Sequence, residues 1–151
     1  MITTLSRLRL LKGPPPEGPV HLSRWCAEGS LEGGISVALD VRPDELFGHL
    51  AALLGGSARR LKVLDVRDRP EPRMVVARGP GLEPETWDVP DVPALVERLN
   101  ALEGGGLVAM LGEWDDALQL WCLPRNAVRA LLREREFRPE NLDELRRLAT
   151  S

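Results

Sequence analysis

The chain contains no tyrosine, and only two cysteines, two histidines, two phenylalanines and two lysines among its 151 residues. Each scarcity excludes something. Cys26 and Cys122 are too few for a disulfide framework, and both sit in apolar runs where a free thiol packs as a small hydrophobe. His21, Cys26, His49 and Cys122 are the only soft metal ligands, and none has CxxC, HxxxH or HExxH spacing. No metal and no cofactor is therefore expected. No stretch approaches the ~18 uninterrupted apolar residues of a membrane span. Arg7 and Arg9 break the short N-terminal apolar stretch, and no small-residue cleavage site follows. The expectation is a cytoplasmic chain with no membrane contact. Net charge is −3, which leaves no general attraction to nucleic acid. Arg129, Arg133, Arg146 and Arg147 near the C-terminus are interleaved with Glu134, Glu136, Glu140, Asp143 and Glu144, a solvated ion-pair surface rather than a basic stripe. Apart from Lys12 and Lys62 every cationic side chain is arginine, a bias expected of a GC-rich genome, bacterial by expectation, or of heat adaptation, although hyperthermophiles favour lysine and glutamate.

What is present is ordinary for a globular domain: 43% hydrophobic and 28% charged residues, in a length that buries a core without staples. Residues 1–19 read as an N-terminal arm ending in the linker Gly13–Pro19 (GPPPEGP), and residues 20–151 as a single domain. Val20–Ala27 reads as a strand or a short amphipathic piece. Ile35–Val41 alternates apolar side chains with the period of a strand. Pro43 opens a helix with Asp44 and Glu45 in its first turn, a stripe of Leu46, Phe47, Leu50, Leu53 and Leu54, and a stop at Gly55-Gly56. Leu61–Val66 and Met74–Ala77 are strands joined by the charged loop Arg67–Arg73. Glu85–Val89 is a further strand. Pro93 opens a second helix, which stops at Gly104–Gly106. Two helices follow at the C-terminus, Asn126–Glu136 and one beginning at Pro139.

The segments LDVRPDELFGHLAALLGG and WDVPDVPALVERLNALEGG echo one another, and two strands follow each. An ancient duplication explains this, and so does the shared grammar of helix start, leucine stripe and glycine stop. Either way the fold class is α+β: a mainly antiparallel sheet from two β-α-β-β-like units, with helices packed on it and two C-terminal helices.

The strongest signal is Leu107–Trp114 and Ala117–Leu123 around Asp115-Asp116, a β-hairpin with a two-residue turn. That turn sets Ala109 opposite Cys122 and Leu111 opposite Leu120 on one face. The other face holds Val108 opposite Leu123, Met110 opposite Trp121, Gly112 opposite Gln119, and Trp114 opposite Ala117. Both faces are apolar, so something must cover the second: the chain's own helices, the N-terminal arm, a second subunit or a ligand.

No catalytic constellation emerges. Cys26 follows Arg24 and Trp25, but in a strand His21 would point to the opposite side. Asp65 and Asp68 with Arg67 and Arg69, and Glu113, Asp115 and Asp116 at the hairpin tip, are acids where turns ordinarily carry them. The glycine-rich stretches follow helices instead of preceding them, unlike phosphate loops. The expectation is a non-enzymatic module that binds another protein or a second copy of itself, with Met110, Trp114, Asp115, Asp116, Gln119 and Trp121 as binding residues. The alternative is a small-molecule site or minor enzyme on the Met110/Trp114/Trp121 face.

Overall fold

The computed structural model describes residues 2–68, 72–134 and 136–150; Arg69, in the expected Arg67–Arg73 loop, lies outside them. The chain divides into two compact units, Met1–Leu39 with Leu107–Ser151, and Asp40–Gly106.

In the first unit, the segment expected to be an arm is part of the body. Helix α1 (Ile2–Arg7) ends in a pair of bonds, Leu10 N–H to Leu5 O and Arg9 N–H to Ser6 O, with Arg9 at φ 58°. That ending folds Leu10 back over Leu5, and both are buried. Of the two readings of Val20–Ala27, a strand or a short amphipathic piece, helix α2 (Leu22–Ala27) is the second. Leu22, Trp25 and Cys26 recur at helical spacing, and all three are buried. The segments after the two helices pair through Lys12 N–H to Ser30 O and Glu32 N–H to Leu10 O. The sheet has the order β1 (Gly34–Ala38), β6 (Ala117–Pro124), β5 (Gly106–Trp114). Helices α5 (Arg125–Leu131) and α6 (Pro139–Ala149) complete the unit. Its core gathers Leu5, Leu22 and Trp25 with Ala109, Trp121, Leu131, Phe137 and Leu145.

In the second unit, α3 (Pro43–Leu54) runs into a 3-10 turn over Gly56–Arg60, where the sequence suggested only a stop. The antiparallel meander β2 (Lys62–Arg67), β3 (Arg73–Ala77), β4 (Glu85–Asp88) follows, and then α4 (Val92–Asn100). Asp91 caps α4 by accepting from the Ala94 N–H at 2.9 Å. Trp87, opposite Met74 in the sheet, meets Phe47 of α3 edge to face, and Arg98 of α4 lies over its ring.

The fold is α+β, as the pattern of elements implies, but the two echoes do not form separate sheets. The first echo supplies β1, α3, β2 and β3; the second supplies β4, α4, β5 and β6. β1 joins the hairpin β5–β6, and β4 joins the hairpin β2–β3. Each sheet thus takes its hairpin from one echo and its leading strand from the other. Interchanging the echoes converts the order β1-β6-β5 into β4-β3-β2. The equivalent helices α3 and α4 pack together in the second unit. Their glycine stops touch: a Cβ on Gly56 would meet the Gly105 backbone nitrogen at 2.7 Å, and one on Gly105 would meet Gly55 O at 3.0 Å.

Candidate functional site

The hairpin has the two-residue turn the sequence implies. Asp115 (φ 56°) and Asp116 (φ 58°) are both left-handed, as a type I′ turn requires. The face assignment beyond it is different and needs correction. Cys122 N–H donates to Gly33 O, so Cys122 and Leu120 turn their backbone groups toward β1, and Gln119, Trp121 and Leu123 turn theirs toward β5. On β5 the N–H of Met110 is taken by the Glu144 carboxylate at 3.1 Å, so Leu107, Ala109 and Leu111 are the residues facing β6. Residues that face one another across an antiparallel ladder share a side of the sheet. Ala109 and Leu111 therefore lie with Trp121 and Leu123, and all four belong to one apolar cluster. The cause is Gly112, at φ 97° in the middle of β5. It inserts one extra residue between the turn and the rest of the strand, and a one-residue slip moves every later side chain to the other face.

The bulge separates the residues expected to form a site. Trp121 is fully buried among the helices of its own unit, and its indole N–H donates to Glu32 O at 3.0 Å. Gln119 is also fully buried. Its Oε1 accepts from Ser36 Oγ at 2.5 Å and its Nε2 donates to Trp114 O at 3.2 Å. Neither presents a surface to a ligand; Gln119 instead ties the hairpin tip to β1. Met110 is half-buried on the opposite face from Trp121. Trp114, Asp115 and Asp116 remain at the surface, and Trp114 is 36% exposed while the other three tryptophans are at most 1% exposed.

Trp114 has a neighbour that the strand reading of Val20–Ala27 concealed. The His21 ring meets it edge to face, with centroids 4.5 Å apart. His21 stands at the N-cap of α2, and its Nδ1 is 3.1 Å from Ser23 Oγ. Burial, followed by the positive fields of Arg138 and Arg24, lowers the imidazole pKa from its ordinary 6.5; Glu140 opposes them. The shift favours the neutral form of the imidazole facing Trp114. Arg138 precedes α6 and is paired with Glu140 at 2.7 Å. Arg24 Nη2 donates to Glu17 O at 2.8 Å, and its Nε lies 3.6 Å from Glu28. Reading Leu22, Trp25 and Cys26 as a helical i, i+3, i+4 set would have put His21 at a helix start and shown that the segment folds onto the sheet.

The other candidates resolve individually. Burial pushes the Cys26 thiol up to about 11 and the Cys122 thiol to about 12, the reverse of nucleophile activation. Asp65 pairs with Arg67, and Asp68 with Arg42. Among the described residues, no group of three or more His, Cys, Asp and Glu side chains is placed to hold a metal ion, and no helix is long and apolar enough to cross a membrane. Comparison with known protein families, curated proteins and solved structures found no match.

Proposed function

We propose that this chain is a protein-binding or self-associating module rather than an enzyme, with the β5–β6 tip as its contact surface. The observation that carries the reading is the exposure of Trp114. Three of the four tryptophans are buried, while this one is held at the end of a two-residue turn with His21 packed against its ring. Exposed tryptophan on a rigid support is the residue type that interface centres favour. Its backbone is anchored by Gln119, so the ring loses little freedom when a partner covers it. Asp115 and Asp116 form a charged rim beside it.

The test is photocrosslinking from Glu113, which is exposed beside Trp114. A benzophenone side chain there should give discrete protein adducts in extracts of the source cell, and the Trp114→Ala substitution should abolish them. The same group at Glu45, exposed on α3, should not produce these adducts. Identical labelling from both positions, or adducts indifferent to Trp114→Ala, would remove the tip from consideration.

A further inference from the structure

We draw no further inference here: the strongest candidate, the aromatic ledge of Trp114 and His21 at the β5–β6 tip, carries nothing beyond the site already described, because its acidic neighbours Glu113, Asp115 and Asp116 and the already paired Arg24 and Arg138 select no occupant and nothing in the structure shows what covers it.

Discussion

At the scale of single residues, the tip is assembled from positions that carry a conformational cost. Asp115 and Asp116 both occupy the left-handed region, which L-residues other than glycine, asparagine and aspartate rarely enter. Aspartate is tolerated there, but the second central position of a type I′ turn favours glycine. Asp116→Gly should therefore stabilise the fold by about 0.5–1 kcal/mol, seen as a higher urea midpoint. A lower midpoint would mean that the Asp116 carboxylate makes a contribution larger than the backbone penalty. His21 gives a second expectation. Its folded pKa lies below 6.5, with burial as the first cause and Arg138 and Arg24 next. Above pH 6.5 the imidazole is neutral whether the chain is folded or not, and the stability linked to it is fully present. As pH falls below 6.5 the unfolded chain takes up the proton first, so that stability is lost through the folded pKa. The His21 ring signals in NMR should titrate with a midpoint below 6.5, and Arg138→Ala should move the midpoint upward. A midpoint at or above the ordinary value would show that the ring is neither desolvated nor under the arginines' field.

At the scale of elements, three devices constrain the packing. The bulge at Gly112 sends Trp121 under the helices while leaving Trp114 beyond it at the tip. Glu144 of α6, 12% exposed, accepts from the outer edge of β5 at Met110 and pairs with Arg147. It thereby satisfies an N–H on an edge strand that would otherwise be open to another chain. The third device is the contact between the two helix stops. Gly56 (φ 55°) has Gly105 backbone atoms where its Cβ would be, so no side chain can move aside to admit one. Gly56→Ala should destabilise by about 2 kcal/mol or more, since the strained φ and the clash add. Gly48 provides the contrast: it is exposed within α3, with nothing within 4 Å of an added Cβ. Gly48→Ala should stabilise by about 0.5–1 kcal/mol through helix propensity alone. Equal effects of the two substitutions on the denaturation midpoint would show that the backbone contact is not a constraint.

At the scale of the whole molecule, strand pairing follows one permutation. Each echo keeps its own hairpin and gives its leading strand to the other. Much of this was legible locally. Pro43 and the stripe from Leu46 to Leu54 mark α3 because helix starts and apolar periodicity are properties of neighbouring residues. The hairpin turn was legible for the same reason. Residues 1–19 were harder to place, because whether Leu5 and Leu10 are buried depends on what stands opposite them, and that is Trp25, Trp121 and Leu145. The site divides along the same line. Trp114, Asp115 and Asp116 lie at the surface as the turn implies. Gln119 and Trp121 were displaced from the expected surface, and His21, Arg24 and Arg138 entered it.

The types of the longer elements, the α+β class and the two-residue turn were determined by the sequence itself, because φ preference and apolar period act over a few residues. The partner of each strand, the face taken by Trp121 and the meeting of His21 with Trp114 were decided only in the tertiary structure. Each depends on a pairing between residues far apart in the chain, and a single glycine bulge is enough to reverse which side of the sheet they share.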